Sequence, residues 1–122
     1  MAQPKRKPAE VDDLWRRGVE LEDKGEVDAA ICIYLEAANM GHPLAQSNLG
    51  NMLDDKVYPP RPKEAVYWYK RAVRAGLSVA ALNLAVHYKN LGQRRWYIYW
   101  LKAASEMGNT DARAELLERG PF

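Results

Sequence analysis

One segment of the chain sets a pattern that recurs on both sides of it: Lys63-Glu-Ala65-Val-Tyr-Trp68-Tyr69-Lys-Arg-Ala72-Val-Arg-Ala-Gly76. Its apolar residues recur at intervals of three and four, which is the spacing of one face of an amphipathic helix. The final glycine stands where a helix ends in a left-handed cap. The segment therefore predicts one helix that buries an aromatic face and ends just before Gly76.

The pattern occurs three times along the chain. Gly41, Gly76 and Gly108 are separated by 35 and 32 residues, within the range of helical-hairpin repeats. Residues of the same kind stand at fixed distances from these glycines: Ala37, Ala72 and Ala104 four residues before, Ala45, Ala80 and Ala112 four residues after, and Leu49, Leu84 and Leu116 eight residues after. Because small residues let helices approach closely and large residues fill the space between them, we predict packed helical hairpins.

The periodicity predicts seven helices, at residues 11–24, 27–40, 43–54, 62–75, 78–90, 93–107 and 109–118. The run Trp96-Tyr-Ile-Tyr-Trp100 has the composition of a strand. It occupies the same slot as residues 65–69, however, so a helix is predicted there as well.

These residues resemble two related repeat families. Residues 11–42 are similar to a tetratricopeptide repeat (TPR), whose expected positions are filled by Leu14, Gly18, Leu21, Gly25, Ala30, Tyr34 and Ala37. Residues 43–117 resemble Sel-one-like repeats (SLR), through Ala45-x-x-x-Leu49-Gly50-x-Met52-Leu53, the segment at 63–76, and Ala80-x-x-x-Leu84-Ala85-x-His87-Tyr88. The resemblance implies an all-α fold, a right-handed α-α solenoid of about three helix-turn-helix repeats plus a C-terminal capping helix.

The resemblance also implies how the chain is divided. We expect a flexible N-terminal tail at residues 1–10 and a single TPR/SLR-like domain at residues 11–119. Its units are expected at about residues 11–42, 43–77 and 78–108, with the cap at residues 109–119. The terminal helices carry polar outer faces, as the ends of a solenoid require, so we expect a complete short protein.

The chain departs from the SLR pattern in two places. The turn at residues 54–62 is proline-rich where the family has a glycine-rich turn. It is either a rigid connection, with Pro62 opening the next helix, or a protruding contact. In the third unit, Tyr97 replaces the alanine expected where the two helices of a hairpin pack closely.

The composition fits one globular domain. The chain has 122 residues, of which 48% are hydrophobic and 28% are charged, and this balance excludes a disordered, collagen-like or membrane-spanning chain. The basic N-terminus leads into acidic residues and not into an apolar signal core, so a cytoplasmic location is expected.

The charge is distributed unevenly along the chain. Residues 10–36 carry a net charge of −6, whereas residues 56–102 carry +9 and contain nine of the twelve aromatic residues. The molecule is therefore expected to be electrically polar.

Catalytic chemistry has little support in the sequence. His42 lies in a turn beside Pro43, and His87 directly precedes a packing tyrosine, so structural or surface roles are predicted for both histidines. Cys32 lies among apolar residues of a predicted helix and is expected to be a small buried hydrophobe. No cysteine or histidine cluster has metal-ligand spacing, and no phosphate-binding glycine loop occurs. We therefore expect no enzymatic activity, no cofactor and no metal.

In helical-hairpin repeats the first helix of each unit lines a concave groove, and the resemblance implies the same here. The candidate groove residues are Val19, Ser47, Asn48, Asn51, Asp54, Leu82, Asn83, Val86, Lys89 and Asn90. Asn48 and Asn83 occupy equivalent places where the family often carries asparagine. Their amides either hold the backbone of an extended peptide or bond to neighbouring helices, because a buried amide needs partners in both cases.

The basic, aromatic stretch offers a second candidate surface. Tyr67 and Tyr99 occupy equivalent slots, as do Trp68 and Trp100, so these four residues are predicted to pack between repeats. Trp96 and Tyr97 have no aromatic counterparts in the other units. Together with two neighbouring bases, they are the candidates for a surface contact: Arg94, Arg95, Trp96 and Tyr97.

Helical repeats without a reaction site predict a non-enzymatic protein–protein interaction module, an adaptor or scaffold that binds a peptide or protein partner in the groove. One alternative is a bacterial immunity or effector-companion protein that neutralises a cognate toxin. Another is binding of a polyanion or nucleic acid, the less favoured partner, through Lys70, Arg71, Arg74, Arg94 and Arg95. A monomer or weak homo-oligomer without a membrane partner is expected.

Overall fold

The computed structural model describes residues 7–119, and within this range the chain forms seven helices. They are α1 (Pro8–Asp23), α2 (Val27–Asn39), α3 (Pro43–Asp55), α4 (Pro62–Arg74), α5 (Ser78–Asn90), α6 (Arg94–Glu106) and α7 (Thr110–Arg119). Every predicted helix is present, and each end lies within three residues of its predicted position.

The largest difference from the prediction is at the start of α1. Residues 8–10 were expected to belong to the tail but form the first turn of the helix. Pro8 favours this start, because its missing N–H is not needed at the first helical position. The remainder of the predicted tail, apart from Lys7, lies outside the described residues.

Glycine turns end most of the helices. Gly41 has a φ of 89°, and the following residue, His42, donates its N–H to the carbonyl of Ala37 at 3.2 Å, which closes the end of α2. Bonds with the same spacing close the turns at Gly25, Gly76, Gly92 and Gly108. These turns reverse the chain within three residues and produce antiparallel hairpins.

The turn between α3 and α4 is built differently. The N–H of Arg61 donates to the carbonyl of Leu53 at 2.8 Å, and Pro62 opens α4, as predicted. Tyr58, in the middle of this turn, is 98% exposed. The proline-rich segment is thus a hairpin connection that ends in a regular helix start.

The helices stack in two layers. Each helix packs against its neighbours in sequence, and in addition α1 contacts α3 and α3 contacts α5. The odd-numbered helices α1, α3 and α5 therefore form one continuous inner layer, and α2, α4 and α6 form an outer layer.

The core confirms the predicted small-residue positions. All six repeated alanines are fully buried: Ala37, Ala45, Ala72, Ala80, Ala104 and Ala112. Leu49 and Leu84 fill the space between them and are at most 1% exposed. This packing holds the inner layer in a fixed register, which determines where the polar side chains of α3 and α5 lie.

Candidate functional site

The inner layer contains a pocket of about 340 Å³. It lies mainly between α3 and α5, with contributions from the end of α1 and from α4. Its lining residues are Glu22, Asn51, Asp54, Asp55, Lys56, Tyr69, Asn83, Val86, His87 and Asn90. We call this site the groove pocket.

Of the three amides that line the groove pocket, those of Asn51 and Asn83 each use only part of their bonding capacity. Asn51 accepts a hydrogen bond at Oδ1 from the hydroxyl of Tyr69 at 2.7 Å. Asn83 donates from Nδ2 to Oγ of Ser47 at 3.0 Å. Within residues 7–119, the Nδ2 group of Asn51 and the Oδ1 atom of Asn83 have no partner. The pocket therefore has both a donor and an acceptor available.

The groove pocket is lined by more acidic than basic side chains. Glu22, Asp54 and Asp55 supply three carboxylates, against one ammonium group from Lys56. Asp54 Oδ2 lies 2.8 Å from Nδ1 of His87, a ring that is only 5% exposed. Asp54 is thus held by His87, and the excess of carboxylates favours cationic groups in the pocket.

Two buried tyrosines approach these carboxylates from the outer layer. The hydroxyl of Tyr34 donates to Oε1 of Glu22 at 2.7 Å. Burial raises the pKa of Tyr34 well above its usual value, and the hydrogen bond and charge of Glu22 raise this pKa further. Burial likewise raises the pKa of Tyr69, with a smaller contribution from the negative charges of Asp54 and Asp55.

The first two units are joined through His42. Its Nδ1 accepts the N–H of Ala45 at 3.2 Å, so the ring proton is on Nε2, which donates to Oδ1 of Asp12 at 2.8 Å. Trp15 stacks on the imidazole at 5.5 Å and donates from Nε1 to Oδ1 of Asn48 at 2.9 Å. These contacts bear out the structural role predicted for His42.

The structure divides the predicted groove residues into two sets. Five line the groove pocket: Asn51, Asp54, Asn83, Val86 and Asn90. The other five lie outside it: Val19, Ser47, Asn48, Leu82 and Lys89. Val19 and Leu82 pack against the core, and Ser47 is 5% exposed. Lys89 extends towards the cap, where its Nζ lies 3.4 Å from Oε1 of Glu115.

Five pocket residues were not predicted: Glu22, Asp55, Lys56, Tyr69 and His87. Tyr69 belongs to the outer layer and reaches the groove past Gly50. The signal that could have indicated this is the pairing of a tyrosine with a glycine on the facing helix, which also occurs at Tyr34 and Gly18.

The prediction that Tyr97 lies on the surface is wrong, because its side chain is only 3% exposed. Leu101 stands in the slot that a tyrosine fills in the other two units. In the third hairpin, the ring of Tyr97 therefore fills the space that this tyrosine fills in the other two. Its centroid lies 5.4 Å from Nζ of Lys89 and 4.9 Å from Cζ of Arg119. Burial raises the pKa of Tyr97, with further contributions from the hydrogen bond and charge of Glu115.

The prediction that Tyr67 and Tyr99 are packed between repeats is also wrong. They are 53% and 55% exposed on the outer layer, where Trp96 is 45% exposed. Cys32 occupies the equivalent slot of α2 and is exposed as well, contrary to the buried position expected for it. Trp68 is 7% exposed and Trp100 is partly buried, so the two tryptophans pack as predicted.

A second concavity, of about 360 Å³, lies on the outer surface of α6. It is lined by Arg95, Trp96, Ile98, Tyr99 and Lys102.

In the part of the chain that the structure describes, no group of three or more potential ligand side chains could hold a metal ion. None of the helices in that part is long and apolar enough to cross a membrane.

The paired helices, the glycine turns and the continuous inner layer define an α-α solenoid of TPR-like repeats. More specifically, the chain has the Sel1-like repeat fold. It is similar to the crystal structure of a Sel1 repeat protein from Oxalobacter formigenes, with a TM-score of 0.66, 25% sequence identity and coverage of 88% of both chains.

Sequence comparison gives a shorter match. The chain is 34% identical over 64 residues to an F-box protein of Arabidopsis thaliana. The match covers 52% of this chain but only 18% of the F-box protein, so the chain corresponds to a small part of that relative. No protein-family model matches the sequence.

Proposed function

We propose that the chain is a protein-interaction scaffold that holds an extended peptide segment of a partner in its inner groove, with the groove pocket as the anchor. Solenoids of helical hairpins present extended concave surfaces of this kind. The proposal needs no reaction chemistry.

The observation that carries the proposal is the pair of half-used amides. An extended peptide presents both N–H and C=O groups that must be satisfied when they leave water. The free donor of Asn51 and the free acceptor of Asn83 match these two groups. Val86, which is 44% exposed, provides an apolar contact beside them. In such a site the amides bind the backbone of the peptide, and the carboxylates select among its side chains.

Selection from a displayed random-peptide library tests the proposal even though the partner is unidentified. Peptides selected on the wild-type chain are then measured against Val86→Arg, which introduces bulk and a positive charge into the pocket without touching the buried core. We expect the affinity to fall by about tenfold or more, as for a residue at the centre of an interface.

Leu35→Arg is the matched control. Leu35 is 40% exposed, similar to Val86, but lies on the outer layer in α2. The control should change the peptide affinity less than about twofold, since distant surface changes contribute little. A library that yields no binders, or binders that Val86→Arg does not weaken, contradicts the proposal.

A further inference from the structure

The outer layer repeats one basic and aromatic pattern on two successive units. In α4 a tyrosine has a lysine four residues before it and another three residues after it. In α6 a tyrosine has an arginine and a lysine at the same two distances. The six residues, which we call the outer ladder, are Lys63, Tyr67 and Lys70 in α4 and Arg95, Tyr99 and Lys102 in α6. Spacings of three and four place each set on one face of its helix.

The tyrosines of the outer ladder are held by neighbouring side chains, and the guanidinium of Arg71 lies 5.9 Å from the ring centroid of Tyr67. Each lies edge-on to the tryptophan that follows it, with ring centroids 5.0 Å apart for Tyr67 and Trp68 and 5.1 Å apart for Tyr99 and Trp100. Both tyrosines nevertheless remain more than half exposed. Exposed rings at the same position of two successive units offer a repeated surface for stacking.

The cations of the outer ladder have no acidic partners. All four are exposed, and none forms a salt bridge within residues 7–119: Lys63, Lys70, Arg95 and Lys102. The salt bridges that do occur in that range use other bases, such as Arg61 with Glu64. Four cations without acidic partners around two exposed rings therefore give this surface a net positive charge.

The concavity on α6 extends the outer ladder. Arg95, Tyr99 and Lys102 line it together with Trp96, whose ring centroid lies 5.6 Å from that of Tyr99. The lining of this concavity includes no carboxylate. It therefore offers two aromatic rings and two cations to a ligand that carries flat groups and negative charge.

We propose that the outer ladder binds single-stranded nucleic acid, with bases stacked on Tyr67, Tyr99 and Trp96 and phosphates neutralised by the four cations. Base stacking on aromatic side chains beside a positively charged track is the general mode of single-strand binding, and it tolerates any sequence. This site lies on the opposite layer from the groove pocket and does not depend on the peptide-binding proposal.

The repetition favours a nucleic acid over an acidic protein as the occupant. A polymer of identical backbone units can place the same two groups, a base and a phosphate, on both units of the outer ladder. A folded acidic protein matches the positive charge of the outer ladder, but its carboxylates do not repeat at the spacing of the two units. A polyanion without bases, such as polyphosphate, matches the charge and the period but leaves the rings unused.

Fluorescence anisotropy with labelled single-stranded RNA and DNA of about 15 nucleotides tests the proposal, since single-strand sites span about 4 to 16 nucleotides. We expect binding at 50 mM salt. If all four cations contact phosphates, the affinity should fall about 50-fold between 50 and 200 mM salt, because each neutralised phosphate contributes a slope of about −0.7 on logarithmic axes. Binding should also quench tryptophan fluorescence, through Trp96.

Two variants separate the rings from the charges. Tyr67→Ala/Tyr99→Ala should weaken binding about fivefold or more, while Tyr58→Ala, which removes an exposed ring outside the outer ladder, should not. The second variant changes Lys63, Lys70, Arg95 and Lys102 to glutamine and should abolish most of the salt dependence while leaving the rings and the core intact. Circular dichroism checks that each variant is folded.

The matched charge control changes four exposed bases outside the outer ladder and the groove pocket to glutamine: Lys7, Arg17, Lys24 and Arg113. It alters the net charge by the same amount and should retain binding within about threefold, since contacts outweigh distant, screened charges. Equal loss in the two charge variants overturns the proposal, as does absence of binding at 50 mM salt. Competition by polyglutamate or polyphosphate that equals competition by unlabelled RNA also overturns it, in favour of an acidic protein or a simple polyanion.

Discussion

A Cβ atom on Gly50 of α3 would lie 2.6 Å from Cε1 of Tyr69 on α4, so that the ring of Tyr69 fits only because Gly50 has no side chain. Gly18 and Tyr34 repeat this relationship in the first hairpin, at the same 2.6 Å. The gap allows the Tyr69 hydroxyl to reach Asn51. A residue of the outer layer thereby becomes part of the inner groove.

The third hairpin holds Ala85 and Leu101 in the slots of Gly50 and Tyr69, which suggests a double-mutant test. We expect Gly50→Ala to lower the free energy of unfolding by about 1–3 kcal/mol, the usual cost of overpacking, although alanine is the better helix former. The double variant Gly50→Ala/Tyr69→Leu recreates the combination of the third hairpin. It should lose less than the sum of the two single changes, as measured by urea unfolding.

The control for this cycle is Ala85→Gly, which opens space where no ring needs it. It should lower the free energy of unfolding by about 1–2 kcal/mol, through the lower helix propensity of glycine and the loss of a buried methyl group. A coupling between Gly50→Ala and Tyr69→Leu below about 0.5 kcal/mol would mean that the two positions are independent, contrary to their close packing.

The buried tyrosines predict a loss of stability at alkaline pH. The pKa values of Tyr34 and Tyr69 are raised in the folded chain, mainly by burial, whereas the unfolded chain has the ordinary value of about 10. The stabilising contribution is fully present below pH 10. Above it, the unfolded state releases protons that the folded state retains, so the free energy of unfolding falls by about 1.4 kcal/mol per pH unit for each tyrosine.

Urea unfolding between pH 9 and 11 checks this prediction. Tyr34→Phe and Tyr69→Phe should each reduce the slope of the unfolding free energy against pH by about 1.4 kcal/mol per pH unit, the contribution of one proton. Tyr58→Phe removes a hydroxyl that is fully open to solvent and should leave the slope unchanged. If the two buried variants keep the wild-type slope, the tyrosines ionise equally in both states and the burial argument fails.

The fold could be predicted because each of its determinants is local. Gly41 and its equivalents mark the helix ends, and Ala45 and its equivalents mark the close contacts, in every unit. The amides of the groove could be predicted for the same reason, since Asn51 and Asn83 lie on the inner faces of their own helices.

The positions of the remaining site residues depend on how side chains from two helices fill the space between them. The pattern along one helical face does not contain this information. Tyr69 reaches the groove because Gly50 on another helix is small. Tyr97 is buried because Leu101 leaves space that a tyrosine fills elsewhere. The buried position predicted for Cys32 rests on its apolar neighbours in sequence, although its slot matches the exposed Tyr67 and not the core.

The cap formed by His42 should stabilise the junction between the first two units. His42→Ala removes the acceptor for the N–H of Ala45 and the contacts with Asp12 and Trp15. It should lower the free energy of unfolding by about 1–3 kcal/mol, of which the cap accounts for about 1. His42→Ser can restore the cap but not the contacts with α1, so its unfolding midpoint in urea should lie between those of wild type and His42→Ala. Equal midpoints for all three proteins would contradict this role.

The exposure of Cys32 predicts a freely reactive thiol in the folded protein. Ellman's reagent should modify it stoichiometrically without denaturant, and Cys32→Ala should change the free energy of unfolding by less than about 0.5 kcal/mol. The matched control introduces a cysteine at Ala30, a fully buried position of the same helix, in the Cys32→Ala background. That thiol should react only as the chain unfolds, because the reagent cannot enter the packed core. If native Cys32 reacts as slowly as the buried cysteine, its side chain is buried, as its apolar neighbours in sequence predict, and the exposed position is contradicted.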